Sequence, residues 1–133
     1  MKLTDLHQWV TDQGITEHVY VGRVPRKYEK SIGIYHSKHQ QSYRRALGGH
    51  ENETYGVLYV TFLLHWTNRI VETDEAAQAL FEKLDNVRNV TVNGETIKWI
   101  QLLYEVQDVG TDENGIFERV IEAAVYFDRK ENE

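Results

Sequence analysis

The sequence predicts an α+β domain: a mostly antiparallel twisted sheet, two amphipathic helices packed on one face of that sheet, and one long basic loop. Three observations lead to this fold class. Apolar residues recur with helical spacing in two segments, strand-like segments fill most of the remaining chain, and one long polar segment has no period. Helices with one apolar side need a surface to cover, and a sheet supplies it.

Length and composition predict an ordinary soluble globular protein with one domain, residues 1–133. Hydrophobic residues make up 41% and charged residues 27% of the 133 positions. No apolar run approaches the ~20 residues that cross a bilayer, and the first residues lack a signal-peptide core, so no membrane association is expected. The chain has no cysteine, which excludes disulfides and thiolate zinc sites.

The N-terminal part predicts one helix and then two short strands. Leu3, Leu6 and Val10 share one helical face, and Gly14 stands where a helix C-terminus is expected. Strands are predicted at residues 17–22 and 31–35, with the only proline between them.

Residues 38–52 predict a mobile arm. They have no sustained hydrophobic period, and the pair Gly48 and Gly49 interrupts them. A segment of ~12–15 residues without its own secondary structure is usually functional or disordered. We therefore expect this arm to order only on contact with a partner.

The middle of the chain predicts a long strand and the second helix. Residues 55–67 are apolar at both alternating sets of positions, which predicts a central strand covered on both faces. A helix is predicted to begin at Thr73, because acidic residues follow it and the helix dipole favours negative charge in the first turn. Its buried stripe is Ala77, Leu80, Leu84 and Val87.

Four further strands complete the predicted sheet. Asn93 and Gly94 predict a hairpin over residues 90–98, because both tolerate the positive φ of a type I′ turn. Two long strands are predicted at 99–106 and 116–127, joined by a polar loop. Each is longer than the usual ~5–6 residues, which favours a rigid sheet with a structural role.

The charge is unevenly distributed along the chain. The net charge is −6, yet residues 23–45 carry seven basic residues and one acidic residue, a net of +6, which leaves −12 elsewhere. Either this segment docks on the acidic face of a neighbouring copy, or it is a nucleic-acid-binding module with Tyr43 beside Arg44 and Arg45 for stacking and phosphate contact. The acidic remainder repels phosphate and favours the first interpretation, so no specific nucleic-acid binding is expected.

No group of residues in the sequence indicates a metal site, a cofactor-binding site or a catalytic site. His36, His39 and His50 fall in or beside the polar arm, which offers neither fixed geometry nor a second shell of hydrogen-bonding groups. His65 lies inside the predicted central strand without a nucleophile nearby, as expected for a core or interface histidine. An unrecognised enzyme site is the weaker alternative.

An acidic cluster in the last loop is explained by a tight turn. Asp108, Asp112, Glu113 and Asn114 resemble calcium ligands in type, but a strand follows them where a calcium-binding loop of the EF-hand kind has a helix. Asx and Gly residues are the usual components of tight turns.

Several blocks of the chain together resemble a known family. They are Ser31-Ile32-Gly33-Ile34-Tyr35, Ala46-Leu47-Gly48-Gly49 with Glu51, Leu63-Leu64-His65-Trp66, Glu72-Thr73-Asp74-Glu75-Ala76-Ala77, and residues 108–116 with the long strand that follows. This pattern resembles the minor capsid protein family of phages and prophages of Gram-positive bacteria. That family is similar to the tail terminator, or tail completion, proteins of long-tailed phages.

The resemblance implies a structural virion protein at the head–tail junction, made in the host bacterial cytoplasm, with no catalytic residues. It implies a ring of identical copies, commonly a hexamer, that ends the tail tube and contacts the head. The implied partners are further copies, the tail-tube protein and a head-completion or connector protein. Our candidate assembly-interface residues are Lys38, Tyr43, Arg44, Arg45, Asp112 and Glu113.

Overall fold

The computed structural model describes residues 1–38 and 55–128, which form an α+β fold of two helices and a mostly antiparallel, curled seven-stranded sheet. The types of element follow one another in the predicted order, but β6 extends into the predicted polar loop 109–115 and does not coincide with the predicted strand 99–106. The elements are α1 (Leu3–Asp12), β1 (His18–Val21), β2 (Ser31–His36), β3 (Tyr55–His65), α2 (Ile70–Asp85), β4 (Arg88–Val92), β5 (Glu95–Leu102), β6 (Gln107–Thr111) and β7 (Phe117–Asp128).

The sheet is built around the long antiparallel pair β3 and β7. The strand order is β1-β2-β3-β7-β5-β4, and β6 also pairs with β7. The central pair runs in register from Tyr55 opposite Asp128 to His65 opposite Glu118. Five of the six strand pairs are antiparallel, and β1 with β2 is the parallel one.

The parallel pair β1–β2 depends on the loop 22–30, which crosses the sheet instead of turning tightly. The amide of Gly22 donates to the carbonyl of Ile34, 2.8 Å away, at the start of this loop. Val24 then lies directly over Gly33, where an added Cβ would meet the Val24 Cγ2 atom at 2.5 Å. Only glycine at position 33 leaves room for this crossing.

The buried apolar residues of both helices belong to one core cluster. The predicted stripes of α1 and α2 are buried, and they share the cluster with residues of β2, β3, β5 and β7. In the described residues α1 contacts β1, β2 and β4, whereas α2 contacts β5 and β7. Gly14 has a φ of +71° just beyond α1, as a helix C-terminus requires.

Two predicted boundaries are wrong. Helix α2 begins at Ile70, three residues before Thr73, although Ile70 and Val71 are exposed and add nothing to its apolar stripe. The predicted strand 99–106 is instead the second half of β5, which extends the Asn93–Gly94 hairpin through Leu102. The chain then leaves the sheet and returns as β6, because the long β7 has room for both strands along one side.

Strand β3 is central, but it is not covered on both faces. Val60, Phe62 and Leu64 are fully buried, whereas Tyr59 and Leu63 of the alternate set are only partly buried. We call the face of the sheet that carries Tyr59, Leu63 and, on β7, Tyr126 the open face. Both alternating sets of residues along β3 are apolar, so the sequence pattern does not show which face is buried and which is partly exposed.

The predicted arm, residues 38–52, lies outside the described residues except for Lys38, which is exposed after β2. Neither described helix combines the length and the apolar character that a membrane crossing requires.

Candidate functional site

Four charged or titratable side chains meet at one end of the β3–β7 pair; we call Arg26, His65, Asp112 and Glu118 the ion cluster. The His65 ring is 1% exposed, and its Nδ1 lies 2.9 Å from Oε2 of Glu118. Arg26 Nη1 donates to the same oxygen at 2.7 Å. Glu118 therefore connects a strand histidine to the loop 22–30.

The buried carboxylate of Asp112 stabilises the turn between β6 and β7 through hydrogen bonds to backbone amides. Its Oδ1 accepts hydrogen bonds from the amides of Asn114 and Ile116, at 2.9 and 3.0 Å. Its Oδ2 is buried without a hydrogen-bond partner in the described part of the chain, 3.7 Å from His65 Nδ1 and 3.8 Å from Arg26 Nη1. The Asx turn predicted for this loop is confirmed.

Opposing effects act on the pKa of Asp112. Burial is the largest single influence and raises the pKa, but the amides of Ile116 and Asn114, with the nearby His65 and Arg26, together lower it further than burial raises it. The pKa of Asp112 therefore lies below its ordinary value, and the carboxylate is the form that the turn is built around.

Replacing Asp112 with asparagine should flatten the acid limb of the stability profile. Because the folded pKa lies below the unfolded value, the contribution of the carboxylate is complete above about pH 4 and is lost as the pH falls through the folded value. We expect the variant to be about 1 kcal/mol less stable at pH 7, since its amide oxygen still accepts neutral hydrogen bonds. Urea unfolding at pH 7 and pH 3 measures this. A difference between the chains that stays constant with pH would contradict it.

The ion cluster joins segments of the fold, and its geometry offers no nucleophile. Ser31 is the cross-strand neighbour of His65, but its hydroxyl donates to the carbonyl of Tyr28, 3.0 Å away. Residues 1–38 and 55–128 contain no group of three or more potential ligands placed to hold a metal ion. The sequence predicted a core or interface histidine at position 65, and the buried, hydrogen-bonded His65 agrees with the first of these alternatives.

A second buried carboxylate lies nearby on the open face. Glu122 of β7 accepts hydrogen bonds from the hydroxyl groups of Thr61 and Ser37, at 2.7 and 2.9 Å from its Oε1. The contact from Ser37 connects the end of β2 to the centre of the sheet.

Arg119 is a structural residue that the sequence analysis missed. Its side chain is 4% exposed, and it donates to Asp74 of α2 at 2.8 Å and to Asp108 of β6 at 3.0 Å. It thereby joins the helix to the strand that lies beside β7. The available signal was an arginine within an apolar strand, which requires partners if it is buried.

An aromatic cluster occupies the other end of the open face. The rings of Trp99 and Tyr126 stack with centroids 4.6 Å apart and planes 4° apart, and Tyr55 lies 5.9 Å from Tyr126. Burial raises the pKa of Tyr126, and the neighbouring Tyr59 and Tyr55 add to this. Tyr55 and Trp99 are 51% and 39% exposed, so this cluster, Tyr55, Trp99 and Tyr126, presents aromatic surface on rigid strands.

The described residues include three of the six predicted interface residues, Lys38, Asp112 and Glu113. Lys38 and Glu113 are exposed, but the Asp112 side chain is only 6% exposed and points into the ion cluster. Tyr43, Arg44 and Arg45 lie outside the described residues. The side chain of Asp112 thus anchors a turn, and Glu113 next to it is the one available for contact.

Part of the basic segment has partners within the fold. Arg26 contacts Glu118, Lys30 Nζ lies 3.9 Å from Glu72, and Lys27 lies over the Tyr28 ring at 5.1 Å. Fewer cations of residues 23–45 are therefore available to contact a polyanion than the net charge of +6 suggests.

The similarity of this chain to known proteins is limited to solved structures. No family model matches the sequence, and no curated protein matches it. Three chains of solved structures match. One of them, whose title states no function, is 15% identical, with the alignment covering 98% of this chain and 92% of that chain at a TM-score of 0.46.

Proposed function

We propose that this chain is a structural virion protein of a tailed phage or prophage, which forms a ring at the head–tail junction, ends the tail tube and mediates head–tail joining. The observation that carries the proposal is the aromatic cluster, which exposes Tyr55 on β3 and Trp99 on β5 at the surface of the sheet. Aromatic residues are enriched at protein interfaces because they supply large contact areas at low entropic cost.

The arrangement of the helices supports this use of the sheet. We infer that both helices pack on one face, because their buried stripes share a core cluster with Ile32, Phe62 and Val125. The opposite face then remains available to other chains. Identical copies that meet through different surfaces form closed rings when the rotation between neighbours fits.

The negative charge of the body suits a channel for DNA. The chain outside residues 23–45 carries −12, and an acidic lumen does not retain a passing polyanion. In this proposal the tail-tube protein and a head-completion or connector protein contact the two sides of the ring.

The mass of the purified protein tests the ring directly. We expect a homo-oligomer of about six subunits, as the family resemblance implies, with ring-shaped particles in negative-stain electron microscopy. Size-exclusion chromatography with light scattering measures the mass. A chain that stays monomeric both alone and with tail tubes would contradict the proposal.

Replacing Arg44 and Arg45 with glutamate should weaken assembly. The proposal places these arginines in charge-assisted hydrogen bonds to a neighbouring copy or to the tail tube, and reversal turns that attraction into repulsion. We expect at least about a tenfold loss of ring formation or of tail joining. Replacing both residues with lysine is the matched control, which keeps the charge. Unchanged ring formation and unchanged tail joining in the glutamate variant would contradict the proposed contact of Arg44 and Arg45 with a neighbouring copy or the tail tube.

Nucleic-acid binding through residues 23–45 is the second candidate function. Arg23 and Lys27 are exposed and support it, whereas the ion pair of Arg26 with Glu118 weakens it. A gel shift with DNA and RNA at increasing salt separates the two functions, because phosphate contacts weaken steeply as salt rises.

A further inference from the structure

The loop 22–30 presents a rigid basic projection on the surface. Its start is held by Gly22 against Ile34, and its middle by Val24 over Gly33 and by Arg26 bonded to Glu118. Among the other residues of the loop, Arg23, Lys27 and Tyr28 are exposed, and we call these three the basic knob; Glu29 and Lys30, also exposed, follow them, and Lys30 lies 3.9 Å from Glu72.

The knob is ordered before it meets any partner. The ring of Tyr28 stacks on His18 with centroids 4.6 Å apart, and its carbonyl accepts a hydrogen bond from Ser31. Lys27 in turn lies over the Tyr28 ring. A preformed surface loses little conformational entropy on association, and tyrosine and arginine are the residue types that contribute most to binding.

The exposed side of α2 carries the opposite charge. Glu75, Gln78, Glu82 and Asp85 recur at helical spacing, are all exposed, and form a stripe about 15 Å long at 1.5 Å per residue. We call them the acidic stripe. Within residues 1–38 and 55–128, no ion pair involves the three carboxylates of the stripe or the cations Arg23 and Lys27.

The knob and the stripe lie on different faces of the same copy. Val24 covers Gly33, whose position alternates with the buried Ile32 and Ile34, so the loop lies on the open face. The apolar side of α2 packs into the cluster that contains Ile32 and Ile34, so the stripe lies beyond the other face. In the described part of one copy, Lys30 at the end of the loop lies 3.9 Å from Glu72 in the first turn of α2, but neither Arg23 nor Lys27 makes an ion pair with the stripe.

We propose that the basic knob of one copy docks on the acidic stripe of the next copy. The proposal rests on the ring function above and names the surfaces that make its subunit contact. The exposed cations Arg23 and Lys27, beside Tyr28, then meet the exposed carboxylates of Glu75, Glu82 and Asp85 along one helix face. Because the two surfaces differ, the contact is head-to-tail and each copy offers one of each, which is the geometry that closes rings.

Charge reversal with a charge-swap control tests the contact. We expect R23E/K27E and E75K/E82K each to weaken self-association about tenfold or more at about 0.1 M salt, where exposed charges still act over ~10 Å. A chain with all four substitutions keeps the wild-type net charge of −6 and should recover the wild-type mass in light scattering. All four positions are exposed, so circular dichroism should show an unchanged fold.

Disulfide trapping tests the geometry independently of charge, since the natural chain has no cysteine. A chain carrying both Lys27→Cys and Glu82→Cys should oxidise to covalent oligomers larger than dimers, whereas either substitution alone should give none. A monomeric wild type contradicts the ring itself. A wild-type ring that survives both reversals, is not rescued by the swap, or fails to crosslink contradicts only this docking.

Discussion

Replacing Glu118 with alanine is expected to lower the free energy of unfolding by about 3 kcal/mol, because it removes the shared acceptor of the ion cluster. His65 loses its Nδ1 partner while remaining buried, and Arg26 loses the contact that holds the loop 22–30. The three tryptophans allow urea unfolding to be followed by fluorescence.

The matched control for Glu118 is glutamine, which keeps the shape of the side chain and removes its charge. We expect it to be about half as damaging, since its amide oxygen can still accept from Nδ1 of His65. A Glu118→Ala chain within about 0.5 kcal/mol of wild type, the range of ordinary surface substitutions, would mean that the cluster contributes nothing to stability.

Replacing Arg119 with alanine is expected to cost about 2–3 kcal/mol. The guanidinium is buried, but its partners Asp74 and Asp108 are 58% and 65% exposed, so solvent screens much of the ion pairing. Most of the loss comes from removing a buried side chain whose guanidinium lies over the Phe117 ring, and from the hydrogen bonds that hold α2 to β6.

Methionine at position 119 separates these two causes, because it retains an unbranched apolar stem without the charge. We expect it to recover about half of the loss in the same urea unfolding experiment. Hydrogen exchange should also show faster opening of β6 in the alanine chain, since Asp108 then has no cation to hold it. Equal stability of the wild type and the alanine chain would contradict the role of Arg119.

The elements that the sequence predicts well are those with strong local patterns. The stripe of Ala77, Leu80 and Leu84 is buried as predicted, and Asn93 and Gly94 have the positive φ values of 52° and 76° that the hairpin requires. Both depend on spacing or backbone preference, which local sequence determines.

The features that escaped prediction depend on contacts between distant parts of the chain. Nothing near Leu102 indicates that β5 ends there, because that end is set by how β5 and β6 share β7. The ion cluster likewise joins Arg26 to Glu118, 92 positions away. Asp112 was predicted in a turn, correctly, but its inward direction depends on His65 and Arg26.

The central pairing of β3 with β7 also has a kinetic consequence. It brings together residues such as His65 and Glu118 that are 53 positions apart, and three of the other five described strands pair directly with β3 or β7. Closing so long a segment is entropically costly, and non-local pairings of this kind slow folding. During synthesis, β3 therefore lacks its central neighbour until β7 leaves the ribosome, so the two halves of the sheet join late.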